Sequence, residues 1–151
     1  MSLKVGDRVP LFTLKDQNGR DFDIAKLLGK QILVIYFYPK NYTSGCTREA
    51  CGFRDSYEEF TTLGAQVIGI STDSDASHQK FAKSYGLPFI LLADTQKKVR
   101  KLFGVPSLLM GLLPGRETYV IDKGGTVAMV FNSVNADRHI DKALKAIKRL
   151  K

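Results

Sequence analysis

The sequence predicts one α/β domain: a mixed sheet with helices on both faces. Three observations predict it. Continuous apolar, β-rich runs stand at Gln31–Tyr38 and Ala65–Ser71; segments of helical periodicity alternate with strand-like ones; and a late pair of strands flanks Lys123-Gly124-Gly125. Uninterrupted apolar strands are those covered on both faces. Strand–helix alternation implies helices laid on a sheet, and the late hairpin makes that sheet mixed. A chain of 151 residues fits a single domain, taken here as 1–151, and can bury a sizeable core without staples.

The elements follow in order. "LFTLKDQNGRDFDI" has short alternating segments about Asn18-Gly19 and reads as a hairpin. Gln31–Tyr38 is a central strand, ended by Pro39. From Cys46 to about Thr62 the period turns helical, with Ala50, Phe53, Tyr57 and Phe60 on one stripe and Gly64 as the stop. "AQVIGIS" is a second buried strand, "SDASHQKFAKSYG" a helix, "PFILLAD" a strand, and "TQKKVRKLFG" a short helix with Val99, Leu102 and Phe103 inward. "ETYVIDKGGTVAMVF" gives the late hairpin, and "DRHIDKALKAIKRLK" a basic helix with Ile140, Leu144, Ile147 and Leu150 on one face. A hairpin, three strand–helix pairs, a second hairpin and a helix are most economically arranged as a thioredoxin-like fold with an N-terminal β-hairpin extension. A small flavodoxin-like sheet does not call for the second hairpin.

Formal net charge is +8. Lys and Arg are spread along the chain and densest on the solvated face of the last helix, without a nucleic-acid-binding motif, so a nucleic-acid partner is not expected. No apolar run approaches the roughly 18–20 residues that span a bilayer, so no membrane insertion is expected. The N-terminal "MSLKVGDRVP" lacks the pattern of a secretory signal. The expected location is cytoplasmic, or plastid stroma or thylakoid-associated if a transit peptide has been removed.

The chain has two cysteines, Cys46 and Cys51, five positions apart. A structural zinc site needs four ligands, usually in two close pairs. Here only His78 and His139 could complete a set, and each reads more simply as a surface or cap-region helix residue. The C-x₄-C spacing is not the C-x-x-C of a thioredoxin-type reductant. Inert buried thiols are a further alternative, more so for Cys51. Cys46 has a distinctive setting, since it lies where a strand has ended and a helix begins. Unpaired N–H groups there carry partial positive charge and stabilise a thiolate. Nucleophilicity falls as a thiol becomes more acidic, so acidity alone makes no strong catalyst. A fast enzyme must also stabilise a departing oxygen, with donors aimed where charge develops. Thr43 is a candidate hydroxyl, and Arg116, in a Pro-Gly turn before a strand, a candidate cation. From spacing alone, a loop-capping threonine and a solvated arginine are the simpler readings.

These residues resemble a known family. "PKNYTSGC", Pro39–Cys46, is similar to the peroxiredoxin signature P-x₃-T/S-x₂-C, and "RETYVID", Arg116–Asp122, to the segment carrying that family's active-site arginine. "GCTREACGFRDSYEEF", "VIGISTDSDASHQKFAKSYGLPFILLAD" and "LLPGRETYVIDKGG" resemble the bacterioferritin-comigratory or PrxQ-type subfamily, especially its cyanobacterial and plastid branch. Nearly the whole chain takes part. The resemblance implies a thioredoxin-like fold and no metal or organic cofactor. Cys46 is then the peroxidatic nucleophile and Cys51 the resolving cysteine. Thr43 and Arg116 hold and polarise the hydroperoxide, and Pro39 shields the pocket. Thioredoxin or a similar dithiol recycles the enzyme, which is a monomer. Ser44 departs from the proline common in the subfamily, a change expected to act on loop stiffness. Two rival classes, a thiol–disulfide exchange protein and a basic binding module, require neither Thr43 nor Arg116.

Overall fold

The computed structural model describes residues 3–108 and 113–150. Met1, Ser2, Leu112 at the start of the arginine segment and the terminal Lys151 of the basic stretch lie outside the described residues. In chain order the elements are β1 (Thr13–Asp16), β2 (Asp21–Asp23), β3 (Ile32–Phe37), α1 (Ser44–Asp55), α2 (Tyr57–Thr62), β4 (Ala65–Ser71), α3 (Asp75–Tyr85), β5 (Ile90–Ala93), α4 (Lys98–Phe103), β6 (Ser107–Leu108), β7 (Leu113–Pro114), β8 (Glu117–Ile121), β9 (Val127–Asn132) and α5 (Ala136–Arg149).

Seven strands form one mixed sheet in the order β2-β1-β5-β4-β3-β8-β9. The β3–β4 and β4–β5 pairs are parallel; β1–β2, β1–β5, β3–β8 and β8–β9 are antiparallel. The central β3 is buried at every position, which is why its sequence shows no polar alternation. Ile32, Val34 and Tyr36 enter one core with Phe53, Phe60, Phe81, Phe89, Ile140 and Ile147. Leu33, Ile35 and Phe37 enter a second core with Phe12, Ile68, Ile70, Val99, Phe103 and Tyr119. Helices α1, α2, α3 and α5 supply the first face, and α4 with the N-terminal segment the second. The short β6–β7 pair was not foreseen from the sequence.

Four local expectations are corrected. The single helix from Cys46 to Thr62 is two, because the backbone leaves helical values at Ser56 (φ −100, ψ 6). Phe53 and Phe60 are both fully buried across the break, while Tyr57 is half-buried with its hydroxyl donating to Gln66 Oε1 at 3.0 Å. Leu102 is exposed, since the short α4 turns Val99, Arg100 and Phe103 inward and leaves Leu102 on the outer side. Leu150 caps α5 in solvent rather than extending its apolar face. Finally, neither histidine is a surface residue: both are fully buried as hydrogen-bonded rings.

α1 crosses α5 closely at Gly52. A Cβ there would stand 2.9 Å from Ile140 Cδ1 and 3.2 Å from its Cγ1. Gly52 therefore lets the two helices approach, at the cost of helix propensity, roughly 1 kcal/mol relative to alanine. Gly52→Ala is expected to destabilise the chain by about 1–2 kcal/mol despite that propensity gain. Ile140→Val, which removes the clashing methyl, is expected to reduce the penalty in a double-mutant cycle by urea denaturation.

Candidate active site

The site is built where β3 ends. Pro39 halts the strand, and the chain turns through Tyr42, a non-glycine residue at φ 67. Such a backbone persists only where its surroundings fix it. Here a buried polar network does so. The Asn41 amide N–H donates to Asp73 Oδ2 at 2.9 Å, Tyr38 Oη donates to Asn41 Oδ1 at 2.6 Å, and Asn41 Nδ2 donates to His78 Nδ1 at 3.0 Å. His78 Nε2 donates to the Leu92 carbonyl at 2.8 Å. That fixes its proton on Nε2 and leaves Nδ1 to accept. Burial holds its pKa below the ordinary value, so the ring is neutral.

Thr43 then takes the N-cap position of α1 with extended backbone (φ −77, ψ 151), but its hydroxyl does not cap the helix. It donates back to the Lys40 carbonyl at 2.9 Å. The first amides of α1 are left without a side-chain acceptor at the place where Cys46, third residue of the helix, is held 1% exposed. Arg116, just before β8, reaches this helix start. Its Nη2 donates to Cys46 Sγ at 3.4 Å and its Nη1 to Glu49 Oε1 at 2.5 Å. Gly45 makes room, since a Cβ there would lie 3.0 Å from Arg116 Nη2. Pro39, Lys40, Thr43, Gly45, Thr72, Lys97 and Arg116 line an open cleft of about 530 Å³ beside the buried sulfur. Cys51 is half-buried farther along α1, and both cysteines are free thiols.

Of the five residues singled out from the sequence, Pro39, Thr43 and Arg116 share this cleft, Arg116 touches Cys46, and Cys51 stands apart. Several others were missed. Glu49 falls three residues after Cys46, a spacing that puts both on one helix face, so a search for charge partners along α1 could have found it. Arg100 had no such signal. It is buried, its guanidinium donates to the carbonyls of Gly115 and Tyr38 at 3.1 Å each, and it lies 5.6 Å over the Phe37 ring. It thus ties the residue preceding Arg116 to the residue preceding Pro39. His139 on α5 reaches Glu49, and Thr118 on β8 reaches His139, only through the tertiary fold.

The electrostatics of this cluster are set by burial. Burial pushes the Glu49 carboxyl up to about 8, against the opposing pull of Arg116. Burial also works against the Arg116 charge, but Glu49 and Cys46 outweigh it and its pKa is raised. Burial, aided by Arg116, pushes His139 down to about 4.

The AhpC/TSA family profile matches residues 5–130. Chloroplastic peroxiredoxin Q of Sedum lineare is 56% identical over 147 residues, 97% of this chain and 78% of that protein. The Populus jackii protein of the same name is 51% identical over 96% of this chain and 68% of its own. Among solved structures, peroxidoxin BcpB from Mycobacterium tuberculosis superposes with a TM-score of 0.91 at 40% identity, covering 99% of both chains. Peroxiredoxin Q from Xanthomonas campestris does so at 0.84 and 31%, covering 91% of this chain and 90% of its own. The fold is therefore the thioredoxin-like one of peroxiredoxins, as the element order implied.

The sign of the pH dependence follows first from Glu49 and His139. Between pH 4.5 and 8 the folded chain keeps a proton on Glu49 that the unfolded chain has released, so stability falls as pH rises. Between pH 4 and 6.5 the unfolded His139 holds a proton that the folded one lacks, so stability falls as pH drops. The slopes oppose each other below pH 6.5, where His78, also lowered by burial, adds to that of His139; above it the fall is set by carboxyls raised by burial, Glu49 first and Glu117 with it in sign. Urea titrations are expected to show a loss of about 1–2 kcal/mol over that upper range, and Glu49→Gln is expected to flatten it. The chain belongs to the AhpC/TSA family, in its peroxiredoxin Q branch, and is a thiol-dependent peroxidase.

Proposed function

We propose that this chain reduces hydrogen peroxide and organic hydroperoxides through a Cys46 sulfenic acid that Cys51 resolves. The contact that supports this reading most directly is the 3.4 Å approach of Arg116 Nη2 to a buried Sγ at an uncapped helix start. The Cys46 thiolate attacks one peroxide oxygen, the O–O bond breaks, and the other oxygen leaves as water or an alcohol after taking a proton. Charge develops on both oxygens as the bond stretches. Arg116 and the open amides at the start of α1 form the donor set for it, and the Thr43 hydroxyl oxygen, its proton held by the Lys40 carbonyl, is left to accept from the peroxide. Pro39 closes the cleft against bulk water.

Resolution needs a change of shape. On an intact helix, Cα atoms five residues apart lie about 8.7 Å from each other, and a disulfide needs about 7 Å or less. Both cysteines lie on α1, so its first turns must unwind before the Cys51 thiol can displace water from the sulfenic acid. Slow unwinding leaves the sulfenic acid open to a second peroxide and to sulfinic acid. Thioredoxin or a similar dithiol then reduces the disulfide by exchange. One chain supplies every group named, so the working unit is a monomer. No helix among the described residues is long and apolar enough to cross a membrane. With chloroplast proteins among its relatives, we place the chain in the plastid stroma or the cytoplasm.

Peroxide consumption with thioredoxin as donor is expected to be lost in Cys46→Ser. Cys51→Ser is expected to stop after one turnover with thioredoxin and to retain turnover with small thiols. Unchanged consumption in Cys46→Ser overturns the reading. In hydrogen exchange, the disulfide form is expected to lose protection over about Cys46–Arg54.

A further inference from the structure

Arg116 has one charge and two claimants. Nη1 faces Glu49 and Nη2 faces Cys46. Were both ionised, this buried cluster would carry two anions on one cation, and an uncompensated buried charge is costly. The surroundings of Glu49 bear on which claimant yields. Its Oε1 accepts from Arg116, but its Oε2 is fully buried without a hydrogen-bond partner. What faces Oε2 is His139 Nδ1, at 3.6 Å.

The state of that nitrogen is fixed from two sides. His139 Nε2 lies 2.8 Å from the Ser133 carbonyl, which can only accept, so Nε2 carries the proton. Nδ1 lies 2.7 Å from Thr118 Oγ1, whose hydroxyl can donate to it. A neutral His139 therefore presents Glu49 Oε2 with a nitrogen that carries no proton and whose one lone pair Thr118 already occupies, so it supplies no donor. A carboxylate oxygen there would be buried with no N–H to stabilise it, whereas a neutral carboxyl carries no charge that needs one.

We propose that His139, locked in this tautomer by Ser133 and Thr118, is a positioning residue that keeps the proton on Glu49 Oε2, so that the charge of Arg116 is left to Cys46. The inference rests on the reading of Cys46 as the peroxide-reactive thiol. Glu49 is then a neutral acceptor that orients the guanidinium without consuming its charge. The shifts of Glu49 upward and His139 downward agree with this arrangement.

Other groups are placed to act on the pair. From α1 these are Cys46 and, at the rim, Arg48, whose guanidinium lies 4.0 Å from Asp137. From the strands they are Arg116 and Thr118 before and on β8, and the buried phenols of Tyr36 and Tyr38, which couple to Glu49. From β9, the Phe131 ring packs edge-on to His139 at 4.9 Å, and Arg138 and Lys142 of α5 lie over that ring.

Once Glu49 ionises, it competes with the thiolate and with the departing oxygen for one guanidinium. The second-order rate of Cys46 oxidation by hydrogen peroxide, followed by stopped flow, is therefore expected to fall about tenfold from pH 7 to 9, through a limb centred near pH 8. Glu49→Gln, which cannot ionise, is expected to lose the limb. His139→Gln, which brings an amide N–H donor to this position, is expected to move it about one pH unit lower. An infrared measurement does not depend on turnover: wild type at pH 7 is expected to show a buried protonated carboxyl band that Glu49→Gln lacks. The proposal is overturned if the limb is absent from wild type or unmoved in both variants, or if that band is missing. A chain inert to peroxide at every pH, but showing the band, instead overturns the peroxidase reading of Cys46 and leaves the proton on Glu49 established.

Discussion

One guanidinium shared between a buried carboxyl and a buried sulfur is the constraint on which this structure turns. Arg116 comes from the start of β8, seventy positions beyond Cys46. Its reach is possible because β8 lies beside β3 in the sheet. The antiparallel register pairs Phe37 with Glu117, so the last residue of β3 and the residue after Arg116 are neighbours. Strand pairing thus brings the arginine to the turn that leads into α1. Arg100 then fixes the turn by bonding the carbonyls on both approaches, those of Tyr38 and Gly115. Leaving such buried carbonyls unpaired would cost about 1–3 kcal/mol each.

The loop between Pro39 and Cys46 gives up local preference for this arrangement. Tyr42 occupies left-handed backbone space, and Thr43 spends its hydroxyl on the Lys40 carbonyl instead of capping α1. A threonine cap typically contributes about 1 kcal/mol. Forgoing it leaves the helix amides open toward the cleft, where an oxygen gaining charge can use them. The Asn41–Asp73–Tyr38–His78 network makes the loop hold this shape.

Much of this was legible in the sequence, and the reason differs by element. β3 and β4 announced themselves because strands buried on both faces must be apolar throughout, and that pattern is local. The two motif segments exposed Pro39, Thr43, Cys46 and Arg116, and the five-residue cysteine spacing exposed Cys51. What stayed hidden depends on the third dimension. His78 and His139 looked like surface residues because a lone histidine carries no sign of its partners; burial came with a carbonyl acceptor for one nitrogen and a polar group for the other. Leu102 looked inward because a three-to-four spacing cannot say which flank of so short a helix meets the core. Gly52 carried no sign of its role, which only the Ile140 contact reveals as close helix packing.

The same contacts bear on how the catalyst resets itself. When α1 opens to join its two sulfurs, the excursion is bounded upstream by the polar staple at Asn41 and downstream by Phe53, wedged between Tyr36 and Phe60. Only about a dozen residues are released, and loops of that size close in roughly 10–100 ns. The rest of the molecule stays as a mould for the returning helix. On the proposed mechanism, recovery after each reduction therefore runs against a standing template.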